Sequence, residues 1–395
     1  MQDLAKAEWT KRDDLPALVA ALGADNMRWV GGAVRDGLLG VPVADVDAAT
    51  KLHPQEVVAQ LDAAGIKSIP TGIEHGTVTA IMPLGPVEVT TLRRDVATDG
   101  RRATIAFATE WREDAARRDF TINALFAHPE TLEIADYFGG RDDLSAGRVR
   151  FIGDARQRIA EDHLRILRYY RFQARFGSAL DEEAEEACAD LAATMKGLSR
   201  ERVASELMAL LRLPDPAETT ARMRERGVLR VILPEAGADE LARLRTTIAA
   251  EQQFTIAPDP VRRLSALLPQ DAGVAKQVAA KLRLSNAVKK RLALSAKPYG
   301  GEKPRALAHA VGIEPATDVL LKAGESPASL QGWEKPRLPI GGGEIVARGI
   351  AAGPDVSRIL QAVERRWVAE GFPDRARVIA LLDEQLAAEP GQPGS

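Results

Sequence analysis

The chain of 395 residues is long enough for about two to four domains, and its 45% hydrophobic and 28% charged residues are ordinary for a globular protein. No apolar run reaches the roughly 18 residues that a membrane span requires, and the polar N-terminus lacks the pattern of a signal peptide. A net charge of −3 argues weakly against nucleic acid as a partner. The single cysteine excludes an internal disulfide and a cysteine-based zinc site, and this cysteine content predicts a cytoplasmic protein.

The N-terminal part predicts a short amphipathic helix over residues 14–23 that leads into a strand at 27–30. Two glycines follow, Gly31 and Gly32, and a helix is predicted from Ala33 to Leu39. Glycines at the start of a helix can present bare backbone N–H groups to an anion. With Arg35 one turn further on, this stretch suggests a phosphate site.

The next strand carries Asp45 and Asp47, which share one face because residues i and i+2 of a strand point the same way, while Val46 points into the core. Two adjacent carboxylates are hard-oxygen ligands suited to Mg²⁺. A lone DxD is common on solvated strand ends, and a lone GG is usually only a turn. The combination of GG-x-VRD and DxD is much more specific, and it suggests nucleotide chemistry.

A helix over 53–65 and two strands over 77–82 and 87–92 follow, with a turn signal at Gly85–Pro86 between the strands. If the second strand lies beside the strand of the two aspartates, Glu88 becomes a third carboxylate at the metal site. On pattern alone, Glu88 could equally face solvent.

The segment 93–111 is polar, contains an Asp-Gly turn signal and has little periodicity, which predicts a functional or mobile loop. Arg117, Arg118 and Asp119 then stand before a predicted helix. The apolar face of that helix is expected to consist of Phe120, Ala124 and Leu125. Arginines offer bidentate donors to phosphate and an aspartate can accept a ribose hydroxyl, although an isolated RRD is more often surface.

A strong helix is predicted over 161–171, where Asp162, Arg165 and Arg168 recur every three residues. This spacing also suits a salt-bridged surface. The alternative is base recognition, because a carboxylate accepts from an exocyclic amine and a guanidinium donates to a ring nitrogen or carbonyl oxygen.

The remaining chain reads as helical. Ser199 is the expected N-cap of a helix with an apolar stripe, and a Gly/Pro/Ser-rich linker is predicted over 324–343. The last seven residues, EPGQPGS, are expected to be disordered. Further helices are predicted over 217–227, 239–250, 259–268, 272–283, 286–296, 355–371 and 373–388.

Taken together, GG-x-VRD, DxD, RRDFTINAL and EDxxRxxRxxR resemble the motifs of the class II family of tRNA nucleotidyltransferases and poly(A) polymerases, above all its bacterial CCA-adding members. The resemblance implies an α+β fold: a nucleotidyltransferase head with a small mixed β-sheet and helices, followed by an all-α neck, body and tRNA-binding tail. The expected bounds of these four parts are 1–145, 146–213, 214–330 and 331–395.

The resemblance also implies a role for each matching residue. Asp45 and Asp47 would hold Mg²⁺ and act in catalysis with Glu88, Asp119 would recognise ribose, and Asp162 with Arg165 would read the base. The segment 93–111 would help the site to change its base preference. The nucleotide-binding set implied by the motifs is Gly31, Gly32, Arg35, Arg118, Asp119, Asp162, Arg165, Arg168 and Arg171.

The implied function is the template-independent addition of C and A nucleotides to the 3′ end of tRNA from CTP and ATP, by a nucleotidyl transfer that uses two Mg²⁺ ions and releases pyrophosphate. A bacterial poly(A) polymerase, which shares the head motifs, is an alternative, as is an enzyme that adds only CC or only A. A catalytically inactive RNA-binding protein is a further alternative from a different class. The sequence does not separate these possibilities and does not indicate the oligomeric state.

Overall fold

The computed structural model describes residues 1–98 and 103–388, and the chain divides into two compact units, Met1–Ile232 and Leu233–Ser395. Within the described residues, all strands lie in the first unit and the second unit is helical, which confirms the expected α+β class. The finer division at residues 145, 213 and 330 remains a prediction. The Asp-Gly turn signal at 99–100 and the last seven residues lie outside the described part.

The first unit contains a mixed sheet that positions the aspartates. Its strands, with those of a separate hairpin, are β1 (Met27–Val30), β2 (Val46–Thr50), β3 (Ser68–Gly72), β4 (Thr77–Ala80), β5 (Val87–Thr91), β6 (Arg93–Thr98), β7 (Ala103–Phe107), β8 (Leu125–Ala127) and β9 (Ile134–Asp136). The sheet has the order β3-β4-β5-β2-β1-β8-β9, and β6 pairs with β7 alone. Only β2 and β5 are parallel; the other neighbours in the described sheet are antiparallel.

Helices of the first unit cover the sheet and continue beyond it. They are α1 (Leu15–Leu22), α2 (Gly31–Leu39), α3 (Pro54–Ala63), α4 (Trp111–Ala116), α5 (Gly140–Ser145), α6 (Ala155–Glu161), α7 (Arg165–Phe176), α8 (Glu182–Asp190), α9 (Arg200–Leu211), α10 (Ala217–Glu225) and α11 (Val228–Ile232). Ser199 caps α9 as predicted, because its side chain accepts from the backbone N–H of Arg202. A core that includes Val30, Leu92 and Phe126 fixes the sheet against α4.

The second unit is built from α12 (Ala238–Gln253), α13 (Pro260–Ala266), α14 (Ala272–Lys281), α15 (Asn286–Ser295), α16 (Pro304–Val311), α17 (Ile313–Lys322), α18 (Gly342–Val346), α19 (Pro354–Ala369) and α20 (Arg375–Ala388). Buried charges pair inside it: Asp318, which is fully buried, accepts from Arg262 and Arg291. The sequence did not assign α16 and α17. Among the described residues, no helix is both long and apolar enough to cross a membrane.

Three local predictions were wrong. The segment 93–111 is mostly the hairpin β6–β7 and not a loop. The hairpin is held by its own backbone hydrogen bonds and is separate from the main sheet, so it forms without an apolar alternation in the sequence. The helix expected after Asp119 is absent, since Thr121–Asn123 forms a short 3₁₀ turn and the chain then enters β8. Leu125 is a strand residue that pairs with the far edge of the sheet.

The third correction concerns the expected continuous helix over 161–171. Helix α6 ends at Glu161 and α7 begins at Arg165, because Asp162 has an extended backbone with φ −152° and ψ 104°. Its side chain accepts from the backbone N–H of Leu164 at 3.1 Å, the local capping bond with which aspartate competes against helix. Asp162 therefore sits at a break between two helices, not on a helical face shared with Arg165.

The one cysteine, Cys188, lies on α8 and is fully buried. Burial raises the pKa of its thiol well above the usual value, and the nearby charge of Glu185 acts in the same direction. The thiolate, which is the reactive form, is therefore disfavoured.

Gly140 tests how tightly α5 packs against the turn at Thr121. An alanine Cβ at this position would lie 2.2 Å from the carbonyl oxygen of Thr121, whereas nothing lies within 4 Å of a Cβ at Gly197. We expect Gly140→Ala to lower the free energy of unfolding by about 1–3 kcal/mol through overpacking. Gly197→Ala should stay within about 0.5 kcal/mol of the parent protein. Urea unfolding measures both, and equal stabilities would contradict the described packing.

Candidate active site

A cavity of about 490 Å³ opens in the first unit beside β2, β5 and the start of α2. It brings together most of the residues that the sequence predicted; Asp45 and Arg171 are not among its lining residues. The predicted residues that line it are Gly31, Gly32, Arg35, Asp47, Glu88, Arg118, Asp119, Asp162, Arg165 and Arg168. Carboxylates of the two strands occupy one side of this set, and arginines supply most of the remaining charge.

The acidic side depends on the parallel pairing of β2 and β5, which places Asp47 directly opposite Glu88. Asp45 immediately precedes β2 and is exposed, while Val46 is buried as predicted. Burial raises the pKa of Asp47 to about 6; the charges of Glu88 and Asp45 also raise it, and Arg118 opposes them. Glu88 and Asp45 are thus close enough to Asp47 for their charges to disfavour its ionised form.

This donor set suits a divalent cation in charge and in chemistry, since a hard cation would relieve the repulsion among carboxylate oxygens. Among the described residues, no three His, Cys, Asp or Glu side chains are already arranged as a metal site. The exposed side chains of Asp45 and Glu88 retain rotamer freedom. Mg²⁺ moreover takes only one or two carboxylates when phosphates complete its shell, so the residues fit the cation without a preformed cage.

Gly31 begins α2 in the left-handed region, with φ +65°. A Cβ there would lie 3.4 Å from Nη1 of Arg118 and 3.9 Å from Oδ2 of Asp47. Glycine therefore permits both the backbone turn and the close approach of two charged groups. The start of α2, a guanidinium and a carboxylate meet at this point, where an anion bound to a cation would be favoured.

Arg35 lines the cavity but is buried, with 5% of its surface exposed. Its Nε donates to Asp36 at 2.8 Å, its Nη1 donates to Asn123, and its guanidinium lies 4.6 Å from the ring centre of Phe176. Burial lowers the pKa of Arg35. Much of its donor capacity is committed to the protein, and its contact with a nucleotide remains a prediction.

Asp119 is also committed. Its Oδ1 accepts from the backbone N–H of Phe120 and from Asn123, both at 2.9 Å, and its Oδ2 accepts from Nε of Arg168 at 2.7 Å. Burial alone would raise the pKa of Asp119, but Arg168 and the other donors outweigh it and lower that pKa. Asp119 is therefore an ionised partner of Arg168, and its expected contact with ribose is untested.

The two predicted base readers lie at the break between α6 and α7. Oδ2 of Asp162 accepts from Nη2 of Arg202 at 2.7 Å. Arg165 donates to Glu161 and, at 2.7 Å, to the carbonyl oxygen of Arg158. Both readers line the same cavity, and both have partners inside the protein.

A second carboxylate, Glu206 on α9, holds the next two arginines of α7. It accepts from Nε of Arg171 at 2.6 Å and lies 3.5 Å from Nη1 of Arg168. Arg171 also lies over the ring of Phe172, at 4.6 Å from its centre. Arg171 thus contacts residues next to the cavity without lining it.

Several residues that shape this site were missed by the sequence reasoning. Asp114 binds Arg117 and Arg118, and its i, i+3 and i, i+4 spacing at the end of α4 was a readable signal. The contacts from α9 had no such signal, because they join positions 35 and 40 residues apart. The missed residues are Asp114, Asn123, Arg158, Glu161, Phe172, Arg202 and Glu206.

Two family models match the chain. The model described as the poly A polymerase head domain matches residues 27–150, and the model described as the probable RNA and SrmB-binding site of polymerase A matches residues 178–239. The first match includes the acidic side of the cavity and the RRD segment. The second begins after α7.

Relatives that match most of the chain are described as CCA tRNA nucleotidyltransferases or as CCA-adding enzymes. The chain is 33% identical to the mitochondrial CCA tRNA nucleotidyltransferase 1 of Mus musculus over 91% of this chain and 87% of that protein. It is 29% identical to the CCA-adding enzyme of Lacticaseibacillus paracasei over 91% of this chain and 92% of that protein. Among solved structures, the Bacillus stearothermophilus CCA-adding enzyme in complex with CTP matches with a TM-score of 0.77 and 27% identity over 98% of each chain.

The Asp119–Arg168 pair predicts a pH effect on stability. Because the folded state holds the pKa of Asp119 below its unfolded value, the pair stabilises the fold above pH about 4 and this contribution is lost as the pH falls through the lower folded pKa. The free energy of unfolding of the parent protein should therefore fall more steeply than that of Asp119→Asn between pH 5 and pH 3, roughly the range of an aspartate titration.

Urea unfolding at each pH checks this expectation, with Asp62→Asn on the exposed face of α3 as the control. The control should follow the parent curve. A difference between parent protein and Asp119→Asn that does not change with pH would contradict the ion pair.

Proposed function

This chain belongs to the family of CCA tRNA nucleotidyltransferases, the CCA-adding enzymes, and from that premise we propose that the cavity of the first unit is its nucleotidyl-transfer site. The enzyme adds C and A nucleotides to the 3′ end of tRNA, using CTP and ATP. The observation that carries the assignment of the site is its charge division: paired carboxylates of β2 and β5 face a wall of arginines around one glycine turn.

On the acidic side, Asp45 and Asp47 would hold Mg²⁺, with Glu88 assisting. Bound there, Mg²⁺ would neutralise phosphate charge and lower the pKa of the attacking 3′-hydroxyl. The chain's own contribution is to keep these carboxylates in register through the strand pairing. Burial raises the pKa of Asp47 to about 6, and the charges of Glu88 and Asp45 act in the same direction, so a bound cation would be favoured over an empty site.

On the basic side, the start of α2 at Gly31 and Gly32 and the guanidinium of Arg118 would bind the triphosphate. Arg118 would stabilise the charge that develops as pyrophosphate leaves, because guanidinium groups match phosphate oxygens in geometry and charge. Arg35, Arg168 and Arg171 would support this wall.

Base choice would rest on Asp162 and Arg165. Cytosine and adenine both present an exocyclic amine next to a ring nitrogen that accepts, and an aspartate beside an arginine complements that edge. Uracil presents a carbonyl oxygen where the amine would be, which a carboxylate repels. Asp119 would act through Arg168 rather than as a free acceptor for ribose.

We further propose that the parts at 1–145 and 146–213 form the catalytic head and the nucleotide-reading neck, and that 214–330 and 331–395 form the body and tail that bind tRNA through its phosphates and shape. A reducing compartment, the cytoplasm, suits the single buried thiol of Cys188. The related poly(A) polymerases remain the second candidate, because the model that matches residues 27–150 is described for their head domain.

The central test uses purified protein, Mg²⁺ and a tRNA trimmed of its 3′ CCA, with CTP and ATP offered separately and together. Sequenced product ends that stop at CCA are expected. A long A tail would assign the protein to the poly(A) polymerases, addition of C or A alone would indicate a specialised enzyme, and no addition would leave the RNA-binding alternative.

In the same assay Asp47→Ala should lower nucleotide transfer by several orders of magnitude, because it removes a carboxylate from the proposed metal site. Asp45→Ala should act in the same way. The unfolding midpoint should stay close to that of the parent protein, and Asp62→Ala on α3 is the matched control. Retained transfer in both site variants would contradict the assignment of the metal ligands.

Asp162→Ala should damage nucleotide choice more than tRNA affinity. We expect incorporation of UTP to rise relative to CTP by about tenfold, since the carboxylate that repels the uracil carbonyl is gone. Competition assays with mixed nucleotides measure the ratio. An equal loss of rate with every nucleotide, at an unchanged ratio, would contradict base reading by Asp162.

A further inference from the structure

Asp114 is a buried carboxylate behind the basic side of the cavity, with 1% of its surface exposed. It lies on α4 and does not line the cavity, whereas Arg93, Arg117 and Arg118 all do. Asp114 therefore would not touch a ligand in the cavity, but it contacts three residues that line the cavity.

The two oxygens of Asp114 divide between these three residues. Oδ1 accepts from Nε of Arg117 at 2.8 Å and from the backbone N–H of Arg93 at 3.2 Å. Oδ2 accepts from Nη2 of Arg118 at 3.0 Å and from its Nε at 3.2 Å. Burial alone would raise the pKa of Asp114, but the charges of Arg118 and Arg117 outweigh it and lower that pKa, so the group is ionised at neutral pH.

These contacts decide where Arg118 points. With Nε and one Nη2 proton directed at Asp114, the guanidinium lies over the ring of Phe126 and its Nη1 donates to the carbonyl oxygen of Asn123 at 3.3 Å. An arginine has five N–H donors, so two remain. The same Nη1 faces Gly31, at 3.4 Å from where a Cβ would stand. Asp114 therefore directs Arg118 toward the start of α2.

The third contact joins this arrangement to the hairpin. Arg93 is the first residue of β6, and its backbone N–H donates to the carboxylate of Asp114. The chain on either side of the hairpin is also held at this point. The backbone N–H of Leu92 donates to the carbonyl oxygen of Thr50, and the backbone N–H of Ala108 donates to the carbonyl oxygen of Leu92. One carboxylate thus fastens the base of the hairpin to two arginines of the cavity.

We propose that Asp114 is a positioning residue for nucleotide binding, which sets the direction of Arg117 and Arg118 and ties them to the base of the β6–β7 hairpin. The proposal rests on the proposed function of the cavity. Substitution by asparagine keeps the size of the side chain but replaces one acceptor with an N–H₂ donor, which must face either Arg118 or both Arg117 and the backbone N–H of Arg93. The direction of at least one of these groups then changes.

The experiment compares Asp114→Asn with Asp318→Asn in the full-length protein. Asp318 is a matched control, because it is a buried aspartate that accepts from two arginines, but it lies in the second unit. We expect Asp114→Asn to raise KM for CTP and for ATP by about tenfold or more with a smaller change in kcat, as loss of charge-assisted hydrogen bonds implies. Asp318→Asn should alter stability and leave both KM values unchanged.

A double-mutant cycle with Arg118→Lys separates positioning from general damage. If Asp114 acts through Arg118, the effect of Asp114→Asn on KM should be much smaller in the Arg118→Lys background than alone. Additive effects, or KM values for Asp114→Asn equal to those of Asp318→Asn, would overturn the positioning role while leaving the proposed function intact. A parent protein that adds no nucleotide would overturn both.

Discussion

The site depends on keeping many like charges together without a ligand. Six arginines line the cavity and a seventh, Arg171, lies beside it, so their mutual repulsion must be offset by the fold. Four buried or half-buried carboxylates do this: Asp114, Asp119, Glu161 and Glu206 each accept from one or two guanidinium groups. Because an uncompensated buried charge is very costly, these pairs are a condition for the arginine wall to exist at all.

The acidic side was predictable because strand geometry alone determines it. Alternation along a strand predicts that Asp45 and Asp47 share one face, and in the structure Asp47 lies on β2 with Asp45 immediately before it. The prediction that the strand of Glu88 lies alongside is confirmed by the only parallel pair in the described sheet. The glycine turn was predictable for a similar reason, since its requirement is local. Features that follow from backbone geometry over a few residues can be read without knowing the tertiary structure.

The rest required tertiary contacts. The aromatic and aliphatic residues from Phe120 to Phe126 are buried together, so their spacing carries no helical or strand period to read. The break at Asp162 comes from a side chain that satisfies the backbone locally, and the hairpin β6–β7 forms a separate two-stranded sheet outside the seven-stranded one. The contacts that α9 makes with α7 could not be predicted from the sequence, because Glu206 and Arg171 are 35 residues apart and no local spacing relates them.

The burial of Cys188 has a practical consequence. The chain has one cysteine, and its thiol is enclosed and kept protonated, so reagents that attack thiolates should find no reactive site on the native protein. A cysteine introduced at an exposed position would then be labelled alone, without first removing the native one. The molecule is in this sense already prepared for attachment of a fluorophore or spin label, and two cysteines introduced into one unit would report a distance within it while nucleotides bind.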